Sequence, residues 1–458
     1  MNLASRKVGV LAVLSAVAIV AISFMKAAME LEDAEQAYYS QWWRWGYDDQ
    51  PPLYTWLQLL VNSIFGVSKF SFSFLRALLF SSTLIVLYRF GRIYLKRKQL
   101  ALLALLLLVL VPSFVDFTFR RLSHTTLLLL TVVTTFIVLT RLIRVKSILN
   151  YTLLGAIVGL GILTKYNYFL FLAAIFMLVF FDNEFRKVLL NWKIIISLLV
   201  TAIIVFPHVM WLVNHNEYVS ELTRSVAIKT LKSKEGVFIL SPLLAFVASF
   251  FKLILPLLVV VVTLILIKKI KWVNVNKTDW LVKLFWIQVV VLAMTFTVLN
   301  IQKVETRWLL PLFFPFVILL LSKLKIDDNP KFTKPFYYCF LAVLLIQTLR
   351  TPVEKMLRIP SSVHFGFYSI SDKLNIKYKN NTWVLPNVTY AGNIRILNPD
   401  REIYAMDDYS LPKNTIDTTN TVFISIKNTN LFLKKEAQDS ILDFGLEKDD
   451  LFFLKQEN

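Results

Sequence analysis

Unbroken apolar runs at residues 102–111, 194–206 and 253–267 set the first constraint on this chain. Backbone in hydrocarbon has to satisfy its own hydrogen bonds, which leaves helices and closed barrels as the spanning solutions. Barrel strands alternate polar with apolar residues, so continuous runs of this kind exclude a barrel. Only 17% of the 458 residues are charged and 57% are hydrophobic, whereas a soluble chain carries about a quarter charged residues. The chain reads as an all-α polytopic membrane protein.

The net charge of +20 does not point to nucleic acid, because the basic residues sit in short clusters between apolar segments, as they do when they set topology. The excess also suits membrane lipids with anionic headgroups, or a phosphate-bearing substrate. Arg6 and Lys7 precede the first run, and acids follow it at once. That pattern predicts a retained signal-anchor helix over about 8–28 with a cytoplasmic N-terminus. Spans are then expected near 70–90, 99–112, 125–140, 150–163, 169–181, 194–213, 239–267, 281–299, 309–322 and 335–349. Counted with the first, they make about 11 transmembrane helices. The shorter run at 53–65 reads as a tilted or partly inserted helix. A polar segment at 214–237 is expected outside the membrane.

From residue 352 the composition turns polar, with strand-like runs at 382–385 and 421–426 and turn signals between them. The expected division is a transmembrane catalytic domain over 1–351 and a small soluble α/β domain over 352–458 on the extracytoplasmic side. Cys339, the sole cysteine, rules out an intrachain disulfide. Neither a Gly-rich phosphate loop nor a Gly-x-Ser-x-Gly elbow occurs.

The stretch 32–53 packs Glu32, Asp33, Glu35, Asp48 and Asp49 together with Trp42, Trp43 and Trp45 just after the first span. Acids at a span end are costly to desolvate and want a reason. Tyr38, Trp42 and Trp45 fall at near-helical spacing, which predicts a short helix lying along the membrane interface. The plain alternative is an aromatic anchor with solvated acids. On the expected topology those acids share one membrane side with Arg120, Arg121, His124, Lys165, His208, Glu305 and Arg307. Together they would frame a cavity for a lipid phosphate leaving group and a hydroxyl acceptor. A carboxylate would take the acceptor's proton and cations would hold the phosphate as charge builds on it. Each cation taken singly reads more simply as a snorkelling or structural residue. His124 and His208 lack a paired ligand spacing, so no protein-built metal site is expected. The rival class is a transporter or flippase of lipid-linked sugars. It calls for charged or broken helices at the membrane midplane and for internal repeats, and the sequence has few mid-span charges and no repeat.

Four ordered blocks carry a resemblance: Asp33-Ala34-Glu35-Gln36-Ala37-Tyr38 leading to Trp45-Gly46-Tyr47 and Gln50-Pro51-Pro52-Leu53; Gly159-Leu160-Gly161-Ile162-Leu163-Thr164-Lys165-Tyr166-Asn167; Pro207-His208 with Trp211-Leu212; and Arg307-Trp308-Leu309-Leu310-Pro311. Over about residues 8–350 the chain resembles bacterial GT-C glycosyltransferases of the protein O-mannosyltransferase-like and lipid A aminoarabinose transferase-like groups. The resemblance implies inverting transfer from a polyprenyl-phosphate sugar to an extracytoplasmic acceptor such as lipid A, another glycan or a protein. It also implies a multi-pass protein of the bacterial inner membrane. The family's catalytic acid belongs to an Asp-Glu pair after the first span. Counting back from Gly46 puts that pair on Glu32-Asp33 in swapped order. Asp33 is favoured as base, with Glu32 next and Glu35 assisting. A family lysine before the Pro pair is Gln50 here, which shifts phosphate binding to Lys165, His208 or Arg307. Tyr38, Asp49 and Tyr166 complete the expected substrate contacts. No cofactor is required, and a divalent cation is admitted.

Overall fold

Long apolar helices dominate the computed structural model, which describes residues 3–30, 32–47, 50–121, 123–215, 240–267, 269–272, 279–326, 329–408, 410–411, 420–426, 440–442 and 452–456. Among the described residues, seven helices are long and apolar enough to cross a membrane: Leu3–Met25, Lys69–Leu95, Ser123–Arg144, Ile194–Asn214, Leu240–Leu266, Trp280–Val298 and Pro330–Met356. Two bent pairs raise the number to nine if each is one span. Lys98–Leu110 meets Pro112–Arg120 at 82°, where the proline ends the preceding helix. Tyr168–Phe181 meets Asn183–Leu189 at 116°. There the Asp182 carboxylate accepts from the amides of Glu184 and Phe185 and starts a new helix in a new direction. Leu53–Phe65, Ile148–Ile162 and Thr306–Ser322 are apolar but shorter. Helices lie at the eleven stretches read as spans, but those at 99–112 and 169–181 belong to the bent pairs and those at 150–163 and 309–322 to the shorter helices; the protein is a multi-pass membrane protein. Most of the polar segment expected at 214–237 lies outside the described residues.

Contacts divide the chain into two units. The first comprises residues 1–18, 77–119 and 124–346. Within it, helix Ser123–Arg144 is the most enclosed span, whereas Leu240–Leu266 buries few of its apolar side chains, as a lipid-facing helix does. Lipid offers no hydrophobic drive between helices, so small residues and close backbones decide packing there. Helix Ile148–Ile162 shows this against Ile194–Asn214: a Cβ on Gly155 would stand 2.5 Å from the Ser197 carbonyl oxygen. The same approach lets Thr201 donate to the Gly155 carbonyl at 2.9 Å and Ser197 donate to that of Tyr151 at 2.7 Å.

The second unit comprises residues 19–76, 120–123 and 347–458. Two short strands of the first unit, β1 Lys271–Trp272 and β2 Leu324–Lys325, pair antiparallel, and the sheet of the second unit holds β3 Thr382–Leu385, β4 Ile403–Ala405, β5 Thr421–Ile426, β6 Ser440–Leu442 and β7 Phe452–Gln456 in the order β4-β3-β5-β7-β6. β3 pairs in parallel with β4 and β5, and β7 pairs antiparallel with β5 and β6. Helix Val388–Leu397 connects β3 to β4, which makes a βαβ unit. One hydrophobic core runs through Trp383, Leu385, Ile394 and Ile403 of this layer and also through Ala28, Tyr38, Tyr39 and Tyr47. The contact division therefore groups the acidic stretch with the C-terminal layer. The strand-like runs read at 382–385 and 421–426 are β3 and β5.

The interfacial helix expected around Tyr38, Trp42 and Trp45 takes a different form. The helix is Glu32–Tyr39, and every residue on it except Glu35 is buried. Helix Val388–Leu397 closes one side of it, and the tryptophans fall beyond its end.

The helix pair around Gly155 yields a stability test. Gly155→Leu should cost about 1–3 kcal/mol by overpacking and lower the thermal midpoint in detergent. Gly9→Ala, whose Cβ meets nothing within 4 Å, should leave that midpoint unchanged.

Candidate active site

Glu32 and Asp33 open the helix Glu32–Tyr39, where carboxylates favour the unpaired amides and positive end of the helix dipole. Both residues are only 6% exposed, so their charge needs compensation from the fold. For Asp33 it comes from Arg76, itself 1% exposed, whose Nη1 pairs with Oδ2. The other oxygen, Oδ1, accepts from the Ser123 hydroxyl at 2.7 Å. Arg76 sits on helix Lys69–Leu95 and Ser123 opens helix Ser123–Arg144. Two membrane helices thus hold one carboxylate from both sides. Gln36, one turn on, accepts from Thr55 at 2.8 Å. Glu35 is half-buried on the same helix.

A second layer of buried charge lies beside this pair. Lys26 bridges Glu30 at 3.0 Å and the Arg120 carbonyl at 2.5 Å. Arg120 Nη2 donates to Thr351 at 3.0 Å and stands 3.9 Å from Glu354, which accepts from Arg350 Nε at 2.6 Å. Burial pulls the Lys26 ammonium down to about 8; Glu30 opposes this, Arg76 adds to it and Asp33 opposes it. Burial pushes the Glu30 carboxyl up, but the charge and hydrogen bond of Lys26, with Arg121 and Arg120 behind them, leave it below the usual range.

Tyr38, expected to contact substrate, is fully enclosed. Its hydroxyl donates to Asp408 at 2.9 Å and accepts from the Ala405 amide at 3.2 Å. Burial first, then the Asp408 charge, push the phenol well above the ordinary tyrosine range. The structure makes Tyr38 a core residue, because helix Glu32–Tyr39 turns it toward the C-terminal sheet. Asp49 and Asp48 lie outside the described residues.

The remaining substrate-binding candidates, Lys165, Tyr166, His208 and Arg307, belong to the first unit, and of these Tyr166 and His208 are in direct contact. Tyr166 and His208 share a hydrogen bond of 3.2 Å between hydroxyl and Nε2, and the imidazole stacks on Trp211 at 6.1 Å. Lys165 donates to Thr125 at 3.2 Å, and His124 Nδ1 is 3.3 Å from the Thr164 carbonyl. Asn167 donates to the Trp308 carbonyl at 3.3 Å, which ties the 164–168 turn to the segment holding Arg307. Lys165 and Arg307 are both half-buried. Among the described residues, no group of three His, Cys, Asp or Glu is placed to hold a metal ion.

Reading the sequence missed Arg76 and Ser123 and gave Lys26 no role. A signal for Arg76 was present, since an arginine set among apolar residues well inside a long helix calls for a partner or a function. Its partner is 43 residues away, and only the fold names it.

Two outcomes follow from these charges. Arg76→Met strands a buried carboxylate and should cost about 3–5 kcal/mol; adding Asp33→Asn should recover part of that loss in denaturant titration. Between pH 8 and 10.5 the unfolded chain holds more protons on Lys26 than the folded one. That group's contribution to stability is therefore lowest below pH 8 and rises with pH across the window. Thermal midpoints of the unaltered chain should climb more over that range than those of Lys26→Met.

Known proteins resemble this chain in sequence and in fold. Residues 49–211 match the family of dolichyl-phosphate-mannose-protein mannosyltransferases. Two lipopolysaccharide core galacturonosyltransferases of Rhizobium johnstonii (strain DSM 114642 / LMG 32736 / 3841), RgtB and RgtA, are 30% and 31% identical over 196 residues. That stretch is 43% of this chain and spans about two-fifths of each relative, 40% of RgtB and 39% of RgtA. In fold, ArnT from Cupriavidus metallidurans bound to undecaprenyl phosphate superposes with a TM-score of 0.57 at 13% identity, covering 97% of both chains. Its apo state gives 0.51 over the same coverage. The chain therefore has the GT-C membrane fold, and its resemblance is to the bacterial GT-C glycosyltransferases.

Proposed function

We propose that this chain is an inverting glycosyltransferase of the bacterial inner membrane that moves a sugar from a polyprenyl-phosphate carrier to a hydroxyl on an extracytoplasmic acceptor. The observation that carries the reading is the buried acid pair at the start of helix Glu32–Tyr39, with Asp33 held by Arg76 and Ser123. Keeping ionisable groups dry at a span end is expensive and wants a chemical use. The acceptor hydroxyl gives its proton to a carboxylate, Asp33 in first place and Glu32 next, as its oxygen attacks the anomeric carbon. The bond from that carbon to the phosphate oxygen breaks, and polyprenyl phosphate leaves with the electron pair. One displacement inverts the centre. Lys165, His208 and Arg307 hold the phosphate as its charge grows, with Tyr166 positioning His208. Glu35 supports the acid pair, and Asp49 contacts substrate.

The names of the relatives and the lipid bound in the ArnT structure support a polyprenyl-phosphate donor and an acceptor in lipopolysaccharide or lipid A. In this reading the N-terminus is cytoplasmic and the C-terminal layer faces the periplasm.

Purified protein incubated with labelled polyprenyl-phosphate sugars and lipid A should release free lipid phosphate in step with labelled acceptor. Asp33→Asn leaves Arg76 unpaired and so lowers stability as well; assayed at a temperature where it is still folded, it is expected to lower that rate by about 10²–10⁴-fold, and Glu32→Gln by less. Full activity in both single variants and in the double variant removes the base. Movement of label across the bilayer without release of lipid phosphate identifies a flippase instead.

A further inference from the structure

A helix of eight residues is too short to be stable by itself, so whatever orients the acid pair lies outside Glu32–Tyr39. The C-terminal layer grips that helix at both ends and along its side. Before it, the Asn393 amide clasps the Met29 backbone: Oδ1 accepts from the Met29 amide at 2.7 Å, and Nδ2 donates to its carbonyl at 3.1 Å. After it, Gln41 makes the same two-way clasp with Ile403 on β4, donating to the carbonyl at 3.0 Å and accepting from the amide at 2.9 Å. Along the side, helix Val388–Leu397 comes so close that a Cβ on Gly392 would lie 1.8 Å from the Ala34 carbonyl oxygen and 2.7 Å from its carbon. Those are backbone atoms one residue from Asp33, so no side-chain rotation relieves the contact. Asn393 is buried and gives Met29 its partners.

We propose that the C-terminal α/β layer sets the position of the acid pair, with Gly392 and Asn393 as positioning residues for the transfer step; this rests on the transferase reading above. Gly392 supplies a backbone approach that no other residue allows, and Asn393 fixes where the chain enters the helix. Displacing the acids by about 1 Å would leave donor binding intact while spoiling the alignment of base, hydroxyl and anomeric carbon, a change worth on the order of 10² in rate.

The test uses the full chain in detergent or nanodiscs. Gly392→Ala should lower kcat by about tenfold to a hundredfold, with KM for the donor nearly unchanged and polyprenyl phosphate still bound one per chain. That stoichiometry separates misplacement from a fraction of inactive protein. Gly366→Ala, in the same layer with open space around its Cβ, should keep the wild-type kcat. Hydrogen exchange at the amides of residues 34–39 should quicken in Gly392→Ala and stay unchanged in Gly366→Ala. If Gly392→Ala does not fold, Asn393→Ala removes both bonds to Met29 by truncation and should show the same split between kcat and KM. Wild-type kcat together with unchanged exchange in the folded variants overturns the proposal. Quicker exchange in a chain whose unaltered form transfers no sugar keeps the clasp and sinks the transferase reading instead.

Discussion

The ion pair between Asp33 and Arg76 is the interaction on which the organisation of the second unit turns. Two charges removed from water each cost several kcal/mol, and their mutual attraction offsets this only where the geometry is good and the remaining lone pairs are met. Here the carboxylate takes the guanidinium on one oxygen and the Ser123 hydroxyl on the other. That requirement draws three stretches together that are far apart in sequence: the short acidic helix, the start of Lys69–Leu95 and the first residue of Ser123–Arg144. Around it Lys26, Glu30, Arg120, Glu354 and Arg350 extend the balance of charge into the C-terminal segment.

Such a network suits chemistry because it is stiff. A carboxylate fixed by two membrane helices and a backbone clasp does not have to reorganise as charge moves, and reorganisation is what makes polar catalysis slow in water. The basic residues of the first unit are fixed in a similar way: Tyr166 hydrogen-bonds His208, and the 164–168 turn is tied to the segment around Arg307 by Asn167. In both units, polar side chains hold the residues that we propose handle a phosphate or a hydroxyl. Apolar side chains are left to the surfaces of helices such as Leu240–Leu266.

Helix Leu53–Phe65 shows how a bilayer reverses the usual burial rule. Tyr54, Thr55 and Gln58 face inward, while Leu60, Ile64 and Phe65 are exposed. In water that arrangement would be unfavourable. In lipid it puts the polar groups on the packed side, where Thr55 bonds Gln36 and Gln58 bonds Asn62, and leaves the apolar groups solvated by acyl chains. The interfacial helix expected one step earlier differs for a related reason. The spacing of Tyr38, Trp42 and Trp45 marks an aromatic face but does not say what covers it. In the fold, the C-terminal sheet covers Tyr38.

By itself the sequence determined that the chain spans a membrane as helices, where those helices run, and that acids crowd the end of the first one. Apolar runs in hydrocarbon have no other way to satisfy their backbones, so local composition decides these points. It also carries four blocks of residues that resemble a family's in order, and Lys165, Tyr166, His208 and Arg307 lie in them. Tertiary structure decided the partners. That Arg76 meets Asp33, that Gly392 admits Ala34, and that Tyr38 belongs to a core and not to a binding surface depend on contacts between residues tens to hundreds of positions apart. Periodicity and propensity report only what a residue's near neighbours require; a charge buried at one helix end is balanced by whichever distant side chain the packing delivers, and packing is a property of the whole fold.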